Sequence, residues 1–324
     1  MNKVVKVAKG KAQKVVMNKY RALKGSATSM GVNDVVVVKQ DDESLKASPL
    51  QVYLKVNADM KPAIATQETK VSKIQIRGTE MVDCMDIECK DLQSEETEHT
   101  CELTSDQLNL MKLASGKNSA FFIVEELKVR IPFSIYLFEQ KDRLIVTDID
   151  GTITKSDTKG FFGGNLGLKV HHENVIEFFD KASKNGYKVI YLTARPVAYQ
   201  SLTRKYLFES LKDDYLNNWR CPENPVFCLP GDIADAALGD SSKGASGKTT
   251  TLTNVLNLFK NPFGVIVGAY GNNNSDSEAY KNVGIPTNMT FLIDKASRMV
   301  NLATQEETSY KMHALNIDTM YPKY

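Results

Sequence analysis

Long apolar runs are missing from this sequence. No stretch of about 18 consecutive apolar residues occurs in its 324 positions, so no helical membrane span is expected. Cysteine is scarce and odd in number: Cys84, Cys89, Cys101, Cys221 and Cys228 are widely spread, with no pair at CxxC spacing. That usage fits a reducing compartment and argues against a disulfide framework or a zinc site. The basic N-terminus has no continuous apolar core followed by a small-residue cleavage site, so it is not expected to act as a secretory leader. Internal repeats and low-complexity tracts are also absent. Hydrophobic residues make up 42% and charged residues 25%, proportions that set disordered and fibrous classes aside.

Acid is absent from one end. Residues 1–24 hold Lys3, Lys6, Lys9, Lys11, Lys14, Lys19, Arg21 and Lys24 and no Asp or Glu, yet the whole chain carries only +2. The remainder is therefore net acidic, and a single segment is built to meet negative charge. Within it Val4, Val5, Ala8, Ala12, Val15, Val16, Lys19 and Leu23 recur at three- and four-residue steps, all but Lys19 apolar. This pattern predicts an amphipathic helix over 2–24 with lysines on its other face. Gly10 and the valines weaken its propensity, so the helix is expected to form fully only against a surface.

Two larger regions follow. Short β-type runs at 35–39, 51–56, 70–76, 81–87, 120–124 and 131–138 predict an antiparallel sandwich over 30–140. The acidic stretch 91–98 reads as an exposed loop, and 105–113 as a short helix packed on the sandwich. From 141 to 324 strands and helices alternate, the pattern of a doubly wound parallel sheet. Its strands are expected at 144–148, 188–192, 226–229, 264–269 and 290–293, and its helices at 174–184, 197–211, 250–259, 276–281 and 309–320.

The strongest chemical signal is Leu144-Ile-Val-Thr-Asp148-Ile-Asp150-Gly-Thr152. An apolar strand runs into two carboxylates, and ligands of parallel sheets bind beyond the carboxyl ends of strands. The one-residue spacing predicts that both carboxylates point the same way. Phosphoryl transfer needs an oxygen nucleophile, an acid for the leaving alkoxide and a cation to offset charge. Asp148 suits the nucleophile and metal ligand, and Asp150 the acid and then base. Gly151 permits a sharp turn that presents N–H groups, Thr152 among them, to phosphate. Thr193 ends the second strand with a hydroxyl, and Arg195 follows it. Lys248 is read at a helix start, where it can pair with phosphate and Asp148. The loop 269–276 supplies Asn272 and Asp276, the latter a further protein ligand for Mg²⁺ beside Asp148 and Asp150. Gly244-Ala-Ser-Gly-Lys248-Thr249 mimics a phosphate-binding P-loop, but that pattern needs glycine where Ser242 stands. His171 and His172 read as surface residues.

These segments resemble one family. DIDGTITKSD (148–157), NGYKVIYLTAR (185–195), Lys248 before its helix, and GNNNSDSEAY (271–280) are similar to the catalytic region of the lipins, which are of the haloacid-dehalogenase type. Residues 34–56 look like the lipin amino-terminal homology region. Residues 103–113, 134–146 and 309–322 look like parts of the carboxy-terminal one. The resemblance implies a Mg²⁺-dependent phosphatidic acid phosphatase and an immunoglobulin-like sandwich built from both homology regions. It departs from pattern at Ser275, where the family tends to have Asn.

The gaps between Asp150 and the helix near 174, and between Thr193 and Lys248, are too short for a sizeable cap domain. An open site suits a substrate displayed on a large surface. The basic segment favours an anionic membrane, to which Lys3, Val4, Val5, Lys6, Lys9, Val15, Val16, Lys19 and Leu23 would bind. Few aromatics interleave its charges, so nucleic acid is not the expected partner. The expected setting is cytoplasmic, peripheral on endoplasmic reticulum or nuclear membrane. An uncapped protein phosphatase and a non-catalytic membrane module are the alternatives.

Overall fold

A computed structural model describes residues 30–55, 69–76, 81–88, 96–155, 171–211, 218–230 and 241–324. The 2–24 helix and its membrane-facing residues, from Lys3 to Leu23, lie outside the described residues.

The first half holds Gly31–Val32 (β1), Val35–Lys39 (β2), Leu45–Ala47 (β3), Leu50–Lys55 (β4), Thr69–Ile76 (β5), Met81–Glu88 (β6) and Glu96–Cys101 (β7). Helix Ser105–Leu110 (α1), Gly116–Val124 (β8) and Val129–Phe138 (β9) complete it. Six strands form a sheet in the order β3-β2-β9-β8-β5-β6, and three form a second in the order β1-β4-β7. Val32, Leu50, Val52 and Leu54 of the small sheet share a core with Val35, Val37, Ile74, Phe122 and Ile135 of the large one. Two differences from the sequence reading stand out. β2 pairs with β9 in parallel, Val35 opposite Ile135, so the large sheet is mixed rather than antiparallel. And β7 is a strand paired along β4, where an exposed loop was expected from 91–98. Its Glu98 and Thr100 face solvent, so the apolar alternation that marks a half-buried strand is missing.

The second half holds Leu144–Thr147 (β10), Val175–Lys184 (α2), Lys188–Pro196 (β11), Gln200–Lys205 (α3), Val226–Leu229 (β12) and Ser241–Leu256 (α4). After these come Ile266–Gly271 (β13), Asn274–Asn282 (α5), Thr290–Ile293 (β14), Met299–Asn301 (β15), Glu307–Thr308 (β16), Tyr310–Leu315 (α6) and Ile317–Met320 (α7). The sheet order is β12-β11-β10-β13-β14-β15-β16. β12 through β14 run parallel with β10 at the centre, and β15 and β16 add an antiparallel edge.

Alternation along β10 assigns the two faces. Ile145 joins Phe178 and Phe179 of α2 and Tyr310 of α6 on one side. Leu144 and Val146 join Leu252 and Val255 of α4 on the other. That second core also takes in Val36 and Val38 of β2 and Tyr136 and Phe138 of β9. The valine run 35–38 is therefore buried on both faces, odd positions inside the first half and even positions against the second.

Two helices differ from expectation. The span 197–211 breaks into a 3₁₀ turn at Val197–Tyr199, α3, and a π turn at Tyr206–Ser210. The wider turn bonds Leu211 N to Tyr206 O at 2.9 Å, and Tyr206, Leu207 and Leu211 are all buried. α4 begins at Ser241 instead of 250, because Gly244 and Gly247 lower its apparent propensity. Gly247 is needed there: a Cβ would lie 2.9 Å from Leu229 Cδ1, so helix and β12 meet at closest approach. Among the described residues no helix is long and apolar enough to cross a membrane. None of Cys84, Cys101, Cys221 and Cys228 is in a disulfide.

Candidate active site

β10 ends at Thr147, so Asp148 and Asp150 sit in the turn beyond it, at the carboxyl end of the central strand. The two side chains do not point the same way, which corrects the expectation from their spacing. Strand alternation no longer applies once the chain turns. Asp148 faces inward, 3% exposed, and its Oδ1 accepts from Lys248 Nζ at 2.6 Å. Asp150 faces outward with its side chain 21% exposed. Arg195 holds it bidentately, Nε to Oδ2 at 2.9 Å and Nη2 to Oδ1 at 2.8 Å. Thr193 Oγ1 adds a donor to Asp150 Oδ2 at 3.1 Å.

Lys248 projects from the interior of α4, not its first turn, and is 2% exposed. Its Nζ reaches Asp276 Oδ1 at 2.5 Å as well as Asp148, so one buried cation joins two buried acids. Burial alone would pull this ammonium down, but Asp148 and Asp276 reverse that and hold it well above its usual range. Burial pushes the Asp148 carboxyl up against the pull of Lys248, and the charges of Asp276 and Asp150 push the same way, leaving it at about 7.

Asp276 lies in the first turn of α5 and is fully buried. Its Oδ2 accepts from Asn272 N at 3.0 Å and Asn273 N at 3.2 Å. Asn273 caps α5, and Ser275 donates its hydroxyl to the Asn273 oxygen at 2.6 Å. Ser275 thus braces the cap and leaves the Asp276 carboxylate undisturbed.

The turn itself is held from several sides. Gly151 has φ +90°, and a Cβ there would lie 2.0 Å from the Asn272 side chain. Thr152 donates to Asp148 Oδ2 at 3.2 Å, and Gly151 N donates to Thr154 Oγ1 at 3.1 Å. With its amide nitrogen turned inward, Asn272 donates to the Asp150 main-chain oxygen at 3.3 Å and to Asp276 Oδ2 at 3.2 Å. His172 was read as a surface residue, but it is fully buried. Its Nε2 lies 3.2 Å from Gly151 O and its Nδ1 2.8 Å from Ser297 Oγ. His171 is nearly buried too and bridges to Thr154. Leu166, Leu168 and Val170 alternate ahead of them and place His172 on the same phase, a signal that the reading of both as surface residues passes over.

Among the described residues no three His, Cys, Asp or Glu side chains are grouped to hold a metal ion. The three-carboxylate set expected for Mg²⁺ is not formed, because the Asp150 carboxylate is taken by Arg195. A smaller oxygen set fits. Asp148 and Asp276 converge on one point, and the Asp150 main-chain oxygen and Asp276 Oδ2 share the Asn272 amide. Two carboxylates against one lysine leave a net negative charge, and Mg²⁺ takes few protein carboxylates, all oxygen.

A parallel sheet with an aspartate pair at the carboxyl end of its central strand, a buried lysine on the adjoining helix and a further aspartate after the next strand is a haloacid-dehalogenase-like arrangement. Residues 99–322 match the LNS2 (Lipin/Ned1/Smp2) model, and residues 1–109 match the lipin N-terminal conserved region. The chain belongs to the LNS2 (Lipin/Ned1/Smp2) family. Phosphatidate phosphatase LPIN1 of Homo sapiens is 32% identical over 230 residues, covering 69% of this chain and 25% of that protein. Phosphatidic acid phosphohydrolase 1 of Saccharomyces cerevisiae is 30% identical over 237 residues, 68% of this chain and 26% of that one. Nuclear elongation and deformation protein 1 of Schizosaccharomyces pombe is 32% identical over 208 residues, 62% and 30% respectively. The chain thus aligns with about a quarter of the length of the first two relatives.

Proposed function

We propose that this chain is a Mg²⁺-dependent phosphatidate phosphatase that releases diacylglycerol and phosphate at a membrane surface. The observation that carries the reading is the pair of buried acids, Asp148 and Asp276, joined at Lys248 beside the outward-facing Asp150. The names of the relatives support the substrate.

In this reading an Asp148 oxygen attacks phosphorus in line, and the bond from phosphorus to the glycerol oxygen breaks. Asp150, protonated from solvent once it leaves Arg195, gives that oxygen its proton. Asp150 then takes a proton from water, whose oxygen attacks the aspartyl phosphate and restores the Asp148 carboxylate. Lys248 and Thr193 offset charge on the phosphoryl oxygens; the backbone N–H groups of Gly151 and Thr152, expected to face phosphate, are instead given to Thr154 Oγ1 and Ile149 O. Asp148, Asp276 and the Asp150 main-chain oxygen would hold Mg²⁺, which when bound would neutralise charge at the phosphoryl group. The basic segment 1–24 docks the site on anionic lipid, each Lys or Arg worth roughly 1 kcal/mol near the surface. We take the two-sheet half as the immunoglobulin-like sandwich of this family, and endoplasmic reticulum or nuclear membrane as the setting.

The test is phosphate release from phosphatidic acid in mixed vesicles, with a phosphopeptide as the competing substrate. Asp148→Asn and Asp150→Asn should each lose on the order of 10³-fold or more in kcat, with the fold retained. Chelation with EDTA should abolish release and Mg²⁺ should restore it. Near-wild-type turnover in either variant would refute the scheme, and turnover on the phosphopeptide alone would refute the substrate.

A further inference from the structure

We propose that Asp34, in the first half of the chain, is a positioning residue that sets the geometry of Arg195 and through it of Asp150. Asp34 is fully buried and 170 positions from Arg204, whose Nη1 donates to Asp34 Oδ2 at 2.5 Å. Its other contacts tie together both halves: Oδ1 accepts from Ser134 N at 2.8 Å, and Oδ2 accepts from Val226 N at 2.9 Å at the start of β12.

Arg204 lies in the last turn of α3, next to Thr203. Thr203 Oγ1 accepts from Arg195 Nη1 at 3.2 Å, on the far side of the guanidinium from Asp150. The contacts thus run unbroken from Asp34 through Arg204 and Thr203 to Arg195 and Asp150. A second contact fixes the other end of the same segment. A Cβ on Gly31 would sit 1.9 Å from Val197 O, so β1 presses directly on the turn that follows Arg195 and Pro196. Asn33 completes the clamp, its Nδ2 donating to Cys228 O at 2.7 Å and its Oδ1 accepting from Cys228 N at 2.9 Å. Residues 31–34 thereby hold the segment 195–204 from both ends against the edge strand β12.

Stability gives a weak reason for such an ion pair, because an apolar pair of similar volume usually serves a core as well or better. Its placement is more telling. The guanidinium fork has one productive orientation on a carboxylate, and an angular error in α3 is passed to Asp150.

The inference rests on the phosphatase reading for its kinetic arm only. Asp34→Asn removes the charge facing Arg204 and keeps only one of the two backbone hydrogen bonds, since an amide nitrogen cannot accept from Ser134 N or Val226 N. The pair Asp34→Asn/Arg204→Met leaves no unpaired charge and is the variant to use if the single one folds poorly. Both should lower kcat by about 10- to 100-fold, as expected for a misplaced acid, with KM little changed. In an Arg195→Gln background, Asp34→Asn should add at most about twofold, since residues acting through one another are not additive. The structural arm follows the Arg195 Nε–H resonance by NMR at neutral pH. It should be protected in the wild type and exchange-broadened in both variants. Wild-type protein inactive on phosphatidic acid vesicles would sink the substrate reading, while the NMR arm would still report on Asp34. Variants that lower only the melting temperature, multiply with Arg195→Gln, or leave the Arg195 signal sharp would overturn the proposal.

Discussion

Replacing Lys248 by Met tests the electrostatics of the buried cluster directly. The ammonium is 2% exposed and lies 2.6 Å from Asp148 and 2.5 Å from Asp276, so water cannot take its place cheaply. Removing one partner of a buried pair costs about 3–5 kcal/mol, because the other charge stays buried without compensation. At roughly 2–4 °C per kcal/mol, the melting temperature of the metal-free protein should fall by about 6–20 °C at pH 7.5. The pH dependence gives a sharper check. Asp148 is pushed up to about 7 by burial, against Lys248 and with the help of Asp276 and Asp150. Its unfolded value is about 3.9, so the folded state holds a proton that the unfolded state has lost. Stability therefore falls as pH rises between those two values. Without Lys248 the folded value climbs further, so the loss relative to wild type should grow from pH 5 to pH 8. Adding Asp276→Asn should return part of it, since one of the two exposed-to-each-other acids is then neutral. Thermal melts in EDTA across that range suffice. A melting temperature unchanged at pH 7.5, or a loss greater at pH 5 than at pH 8, would show that the three groups are not coupled as their distances require.

Two further outcomes follow from local geometry. Gly151→Ala places a Cβ against Asn272 at a φ of +90°, and should cost about 1–3 kcal/mol. Its kcat should fall more than its stability implies, because the turn between Asp148 and Asp150 moves; unchanged kinetics would mean that the turn is not the constraint. His313 is buried, with its Nδ1 3.1 Å from Tyr270 Oη, and burial pushes it down to about 4. The unfolded chain then binds the proton first, so this residue's contribution is lost as pH falls below about 6.5. His313→Gln keeps a polar partner for Tyr270 without titrating, and should flatten the melting curve between pH 4 and 6.5. An equally steep curve would assign the acid sensitivity elsewhere.

What could be read in advance depended on whether a residue's surroundings leave a local trace. The strand β10 was legible because an apolar run ending in two acids has few other meanings. The valines at 35–38 were legible as buried, but not that alternate ones serve two different cores. β7 escaped notice because an edge strand with a solvent face can be polar throughout. The early start of α4 escaped because glycine counts against helix unless one knows that β12 presses on Gly247. His172 continues the alternation of Leu166, Leu168 and Val170, but only the folded chain shows the Gly151 carbonyl beside it. Asp34 and Arg204 are ordinary charged residues in sequence, and no periodicity connects positions 170 apart. The structure brings Asp148, Asp150, Thr193, Arg195, Lys248, Asn272 and Asp276 together, yet their orientations were not legible in the sequence. Spacing locates a carboxylate along the chain but does not say which cation takes it.

That last point bears on how two acids two positions apart come to differ. On a continuing strand Asp148 and Asp150 would share one face and one environment. Ending β10 at Thr147 removes that constraint, and the left-handed Gly151 lets the chain swing between the two side chains. Asp148 then enters a closed pocket with a fixed cation, where its charge is offset by Lys248 and its protonation follows burial. Asp150 turns to the rim, where its partner is an arginine attached to a helix that the first half of the chain holds in place. A nucleophile needs a fixed position, whereas a group that gives and then takes a proton needs access to solvent and freedom to change partners. The division of roles in the proposed reaction therefore follows from where one strand stops. The two halves of the chain meet behind Arg195, because Thr203, which accepts from it, adjoins Arg204, and Arg204 is held by Asp34 of the first half.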